Sequence, residues 1–201
     1  MAYSDFNLDK LEERFGVKSR YQRLFDDVIP IVGSDWLKQS LHRASELPLR
    51  SEKARSEWIV APILNELRTL NDKYFTIYSG ENLNADELNG LNGECDFILA
   101  KDIRSVNINY PIVQVVEAKK NDLDIGIPQC AAQLIGARLF NHKKGVDLDR
   151  VYGCVTTGTD WIFLMLADHL FVDTRLYYLD DVAEIMGVFQ SIIDYYKRTL
   201  S

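Results

Sequence analysis

The chain is poor in the residues that mark small specialised proteins. It has three cysteines in 201 residues, Cys95, Cys130 and Cys154, and none forms a Cys-x-x-Cys pair. An odd number at such spacing gives neither a disulfide framework nor a zinc site. Each lies in an apolar stretch, so all three read as buried thiols in a reducing compartment. Histidine is equally scarce. His42, His142 and His169 are scattered without metal-ligand spacing and read as structural or surface residues. No apolar run is long enough to span a bilayer, and Met1 to Lys10 carries Asp5 and Asp9 where a leader would be basic and then apolar. A soluble, cytoplasmic protein is expected. The chain also lacks an internal repeat, a low-complexity linker, a nucleophile elbow and a Gly-rich phosphate loop; Gly153 and Gly158 read as turn chemistry. These absences count against a small hydrolase working through Cys or Ser.

Positive charge is in deficit too. The net charge is −7, whereas a simple duplex binder gains affinity by neutralising phosphates with Lys and Arg. The imbalance is uneven. Residues 1–70 hold 11 basic and 11 acidic side chains, 71–150 hold 9 and 12, and 151–201 hold 3 and 7. A metal site must be acidic before its cation arrives, so part of the negative charge can be functional.

What is present is ordinary globular material: 47% hydrophobic and 26% charged residues, enough for one domain with a real core. The first 50 residues read as short helices. Asn7 to Phe15 ends at Gly16, Ser19 can cap Tyr21 to Ile29 before Pro30, and Ser34 or Asp35 can cap a helix to about Leu47. Basic residues punctuate this stretch (Lys10, Arg14, Lys18, Arg20, Arg23), giving a solvated face or a substrate-contacting arm. A long helix is expected from Ser51 to about Leu70, with an apolar stripe through Trp58, Ile59, Ile63, Leu64 and Leu67 and a kink at Pro62. Strands are expected at Tyr74 to Tyr78, Gly93 to Ala100 and Tyr110 to Ala118, with a polar loop from Ser79 to Gly90. The third strand is apolar almost throughout, as a central strand covered on both faces would be. Asn121 to Gly126 reads as a polar loop in which Asp122 and Asp124 shape a turn. Pro128 suits the first turn of a helix continuing from Cys130 to Phe140. Val151 to Thr156 and Trp161 to Leu166 then form a hairpin around Thr157 to Asp160, with another strand-like piece near Arg175 to Leu179. Asp180 or Asp181 caps a closing helix through Tyr196. The order is that of an α/β sandwich with a mixed sheet.

One constellation carries chemistry. In Val113-Gln114-Val115-Val116-Glu117-Ala118-Lys119-Lys120, an apolar strand runs into a Glu-x-Lys triplet, the one such triplet in the chain. Residues two apart on a strand share a face, so a carboxylate and an ammonium leave the same side together. One strand earlier, Asp96 stands in the apolar stretch Cys95-Asp96-Phe97-Ile98-Leu99, a costly place for an unpartnered charge. If the strands are neighbours, Asp96 and Glu117 converge into a hard oxygen site suited to Mg²⁺ or Mn²⁺. Such a cation acidifies water and offsets charge on a phosphodiester, and Lys119 can hold the attacking water or the phosphate.

These residues resemble the PD-(D/E)XK nuclease superfamily, which includes restriction endonucleases and many defence and repair nucleases. The resemblance spans about Ser51 to Leu166. It implies a restriction-endonuclease-like mixed β-sheet flanked by helices. The chain then divides into an N-terminal helical extension (residues 1–50) and a nuclease-like α/β domain (residues 51–201). It also implies Asp96, Glu117 and the Ala118 carbonyl as metal ligands, and Lys119, Glu117, Asp96 and Gln133 as the catalytic residues. Glu57 matches the acidic residue of the first core helix, with Glu52 as its rival. Gln133 is the glutamine near the site, with Gln129 one turn away on the same helix face. Cys95 stands where the family name has proline. Lys120, Gln129 and Arg138 are candidate nucleic-acid contacts, and a chain this acidic calls for a partner, a dimer or a local basic groove, which Lys119, Lys120, Arg138, Lys143 and Lys144 can build. The activity implied is a metal-dependent nuclease acting on DNA, with a homodimer or a partner protein supporting it. The alternative is a catalytically inactive nuclease-fold module for binding or assembly in a larger defence or repair system.

Overall fold

The structure of the protein is a computed structural model that describes residues 1–101, 107–120 and 122–200. Eight strands form one mixed sheet: β1 (Ser19–Gln22), β2 (Phe75–Asn82), β3 (Glu94–Lys101), β4 (Ile112–Ala118), β5 (Val151–Thr156), β6 (Asp160–Leu166), β7 (Leu170–Asp173) and β8 (Tyr177–Tyr178). Their order is β1-β7-β6-β5-β4-β3-β2, with β8 paired to β6. Helices α1 (Leu8–Phe15), α2 (Asp35–Ser45), α3 (Glu52–Arg55), α4 (Ala61–Leu70), α5 (Leu123–Lys143) and α6 (Val182–Thr199) flank it.

The apolar run of β4 is central, and every one of its side chains is buried. It pairs antiparallel with β3 and parallel with β5. Parallel neighbours need a long crossover, and α5 supplies it. Close approach explains Gly153 on β5: a Cβ there would stand 2.7 Å from Cys130 Sγ and 3.0 Å from Leu134 Cδ1 of α5. The opposite face is covered by α6. Phe189 packs its ring at 5.2 Å from Phe163 and 6.0 Å from Trp161, and the Tyr196 hydroxyl donates to the Val113 and Arg150 carbonyls. The result is three layers, helix on sheet on helix.

Several local expectations hold. Asn7 caps α1 and Gly16 ends it in the left-handed conformation; the Ser34 and Ser51 side chains cap α2 and α3. The three cysteines are free and buried, and the histidines pair with surface carboxylates.

Other expectations are corrected. Tyr21 to Ile29 is not a helix: Ser19–Gln22 is strand β1, in parallel register with β7. All four of its side chains are exposed, so backbone pairing alone holds it and no apolar period betrays it. Its partner β7 was also missed, being four residues long. Strand β2 runs on to Asn82 into the expected polar loop, because an edge strand tolerates exposed polar side chains. The loop expected from Asn121 to Gly126 is helix from Leu123, with Asp122 accepting from the Asp124 N–H as its cap, which leaves Pro128 inside the helix; Asn121 lies outside the described residues. The break expected at Pro62 takes the form of a π turn over Ser56–Val60. Pro62 lacks an N–H and its ring crowds the carbonyl four residues back. The chain widens there, and the Ala61 N–H donates to Ser56, five residues back.

The first 50 residues contribute to the same sheet and core. Strand β1 closes one edge, and Tyr3, Phe6, Leu11 and Leu37 are buried with the residues of β3, β4 and α5. No helix among the described residues is long and apolar enough to cross a membrane.

Candidate active site

The strand ladder assembles the site. With Phe97 opposite Val116 in antiparallel register, one further step places Asp96 opposite Glu117, and opposite residues share a face. Asp96 Oδ2 accepts the Ala118 backbone N–H at 2.7 Å, fixing the carboxylate against the end of β4. A residue's N–H and C=O leave a strand at the same edge, so the Ala118 carbonyl is directed to the Asp96 side. The next backbone N–H, of Lys119, donates instead to Thr156 of β5 at 2.7 Å. Strand β4 thus ends held from both sides, with Glu117 and Lys119 beneath α5.

Glu117 is 2% exposed and accepts three side-chain N–H bonds. Lys119 Nζ reaches Oε1 at 2.7 Å, Gln129 Nε2 reaches Oε1 at 2.6 Å, and Gln133 Nε2 reaches Oε2 at 2.7 Å. The Gln129 carbonyl oxygen in turn accepts from Lys119 Nζ at 3.0 Å, so this amide bridges ammonium and carboxylate. Gln129 and Gln133, one turn apart on α5, face the site together.

Two carboxylates held this close in a buried position resist ionising together. Burial, and then the Asp96 charge, push Glu117 up to about 7, against the pull of Lys119 and Gln133. Asp96 is raised as well, chiefly by burial, with the Ala118 N–H and Lys119 offsetting part of it and Glu52 and Glu94 adding to it. Burial works against the Lys119 ammonium, but Glu117, Glu52 and Asp96 outweigh it and its pKa is raised.

This donor set fits a hard divalent cation. Mg²⁺ is ordinarily held by one or two carboxylates with water and substrate phosphate completing its shell. Asp96, Glu117 and the Ala118 carbonyl are oxygen donors of that kind. The buried Gln133 Oε1 has no hydrogen-bond partner among the described residues, and an acceptor left so beside two carboxylates is suited to a water. Among the described residues no three His, Cys, Asp or Glu side chains come together as a metal-holding group.

The remaining expected residues fall in different places. Glu57 is exposed and pairs with Lys53 on its own helix at 3.8 Å. Its rival Glu52 is exposed as well but reaches the end of β4. Glu52 Oε1 accepts the Lys120 N–H at 3.0 Å, and its charge acts on both Asp96 and Lys119. Arg55, which sequence reading passed over, donates to the Lys120 carbonyl, so α3 grips the backbone of Lys120 from both sides. The Lys120 side chain is exposed and lines a hollow with Arg50, Ser51, Glu52 and Lys53. Arg138 is not part of the cluster; it donates to the Ala167 carbonyl at 2.7 Å. Lys143 donates to the Ala85 carbonyl and Lys144 lies over the Phe140 and Tyr110 rings. Arg138, Lys143 and Lys144 thus do not join Lys120, whose basic neighbours among the described residues include Arg50, Lys53 and Arg55.

No family model and no curated protein matches the chain.

Proposed function

We propose that the chain is a metal-dependent phosphodiesterase, a nuclease with DNA as its expected substrate, on a restriction-endonuclease-like fold. The observation that carries this reading is the meeting of Asp96 and Glu117 across β3 and β4, with Lys119 Nζ 2.7 Å from Glu117. Asp96, Glu117 and the Ala118 carbonyl would hold Mg²⁺ or Mn²⁺. A cation there supplies an acidified water and stabilises charge developing on phosphate oxygens.

The chain's own groups divide the remaining work. Lys119 places a positive charge beside the carboxylates, where it can meet the scissile phosphate, and Gln129 keeps the ammonium aimed. Gln133 orients Glu117 through Nε2 and offers Oε1 to a water's hydrogen. Glu52 and Arg55 fix the Lys120 backbone, and the Lys120 side chain with Arg50 and Lys53 can take flanking phosphates. A net charge of −7 makes a local basic rim necessary, since the molecule as a whole repels nucleic acid. Cutting both strands of a duplex needs two such sites, which a homodimer would supply.

Titration of Mg²⁺ and Mn²⁺ into wild-type protein and Asp96→Ala tests the reading, run beside cleavage of labelled single- and double-stranded DNA and RNA with Lys119→Ala as control. Saturable binding absent from Asp96→Ala, with cleavage absent from Lys119→Ala, supports it. No cleavage of any substrate with either ion overturns it.

One observation favours a second reading, the inactive nuclease-fold module. The Glu117 carboxylate already has three side-chain donors, as in a closed structural network. In that case neither ion binds saturably, and a co-purifying protein partner accounts for the surface.

A further inference from the structure

A cavity of about 500 Å³ lies between α1, the segment joining β2 to β3, and the C-terminal half of α5; it shares no residue with the carboxylate cluster. Two arginines and two aspartates share its wall, and their hydrogen bonding is unequal. Arg14 comes from α1 and Arg138 from α5, and among the described residues neither has a carboxylate partner. Arg138 spends one of its five N–H donors on the Ala167 carbonyl at 2.7 Å. Arg14 reaches the Met1 sulfur at 3.0 Å and the Asn89 carbonyl at 3.5 Å. Burial draws the Arg138 pKa down, as expected of a cation out of water without a counter-ion. The carboxylates on the cavity wall are in the opposite condition. Asp86 accepts the Asn89 side-chain amide at 2.7 Å and its backbone N–H at 3.2 Å, and Asp147 holds the His142 ring at 2.7 Å. The carboxylate oxygens already have local donors, whereas both guanidinium groups keep N–H donors to spare. The rest of the wall is apolar, built from Phe15, Leu91, Ile135 and Leu139.

We propose that this cavity binds a small organic anion, with a carboxylate or phosphate head on the Arg14 and Arg138 guanidinium groups and an apolar body against Phe15, Ile135 and Leu139. Guanidinium forks match both heads and are weakly hydrated, so they exchange water for such oxygens readily. The volume lies in the range of small-ligand sites, which are apolar with few convergent polar groups. The site is independent of the nuclease reading, and it gives Arg138 a partner that the carboxylate cluster does not.

The test is calorimetric titration of the full chain with phenyl phosphate and with benzoate, with inorganic phosphate and phenol as controls. At least one of the two organic anions is expected to bind saturably, one per chain, and inorganic phosphate and phenol each at least tenfold more weakly. Arg138→Gln and Arg14→Gln should each weaken the organic anion about tenfold or more, and Lys119→Ala should leave it unchanged. Loss of the Ala167 contact can unfold Arg138→Gln; Arg14 is exposed, so its variant carries the test in that event. The proposal is overturned if neither organic anion saturates, if the folded arginine variants bind as wild type does, or if Lys119→Ala abolishes binding. Inorganic phosphate or phenol binding as tightly as the organic anion overturns it too, since the two-part site would then not exist.

Discussion

Glu117 occupies a position where a carboxylate is expensive and is kept there by its donors. Its partner Asp96 adds repulsion, so the pair costs stability when both carboxylates are ionised. Asp96→Asn keeps the shape and an acceptor for the Ala118 N–H but removes one charge. The metal-free variant is expected to be more stable than wild type near pH 8, by about 0.5–2 kcal/mol, while binding Mn²⁺ at least tenfold more weakly; denaturant melts and calorimetry check both. Lys119→Met should do the reverse, leaving Glu117 with two amide donors and costing about 1–3 kcal/mol together with any cleavage. Glu52 and Glu57 make the sharpest contrast. They are five residues apart, about 140° around a regular helix, so one facing β4 turns the other to solvent. The chain sequence offers no rule for choosing between them, because the choice depends on how α3 docks on Lys120. Glu57→Ala should change stability by less than about 0.5 kcal/mol and leave cleavage intact. Glu52→Ala frees the Lys120 N–H and should lower cleavage.

Elements were legible where packing imposes a period and obscure where backbone pairing alone holds them. Strand β4 announces itself by burial on both faces, α2 by its apolar stripe and Ser34 cap, and α6 by its stripe alone, since Asp181 at its N-cap makes no side-chain cap hydrogen bond. Strand β1 has no buried side chain, and the four residues of β7 give too little pattern to count. Helix α5 was recognised late in its course because Pro128 looks like a first-turn residue; Asp122 starts it a turn and a half earlier. That earlier start is what carries Gln129 and Gln133 over Glu117. The packing of α5 on β5 rests on Gly153 and predicts a penalty there. A Cβ at 2.7 Å from Cys130 Sγ and 3.0 Å from Leu134 Cδ1 forces the helix outward. Gly153→Ala should cost about 1–3 kcal/mol, read as a lowered denaturant midpoint at unchanged slope. Displacement of α5 should also loosen the Gln129 and Gln133 contacts, so metal affinity is expected to fall with stability.

At the scale of the whole molecule, the triplet at the end of β4 and the lone aspartate of β3 could be read from the chain because both break apolar runs. The basic surroundings could not, since they depend on which side chains the fold carries to one end of the sheet. Arg138, Lys143 and Lys144 travel with the far end of α5, while Arg50, Lys53 and Arg55 arrive with α3. What links the site to the stability of the whole fold is its protons. Glu117 titrates near 7 in the folded chain against an ordinary 4.5, and Asp96 is raised in the same direction. Between those two values the folded state keeps a proton that the unfolded chain has released. The unfolding free energy therefore falls as pH rises from about 4.5 to about 7, and the loss is complete above that. In the proposed function a divalent cation would replace the proton, binding only once the carboxylates are ionised. Metal-free protein should accordingly melt at a higher temperature near pH 5 than near pH 8, to the extent that this pair sets the slope. Mg²⁺ or Mn²⁺ should raise the melting temperature near pH 8 and scarcely near pH 5. At a hundredfold excess over Kd the gain is about 2.7 kcal/mol. Asp96→Asn should flatten both the pH slope and the metal response. A slope that persists in that variant would assign the protons to Glu117, which burial raises even without the Asp96 charge, or to groups elsewhere; a metal response that persists unchanged would remove Asp96 from the proposed ligands.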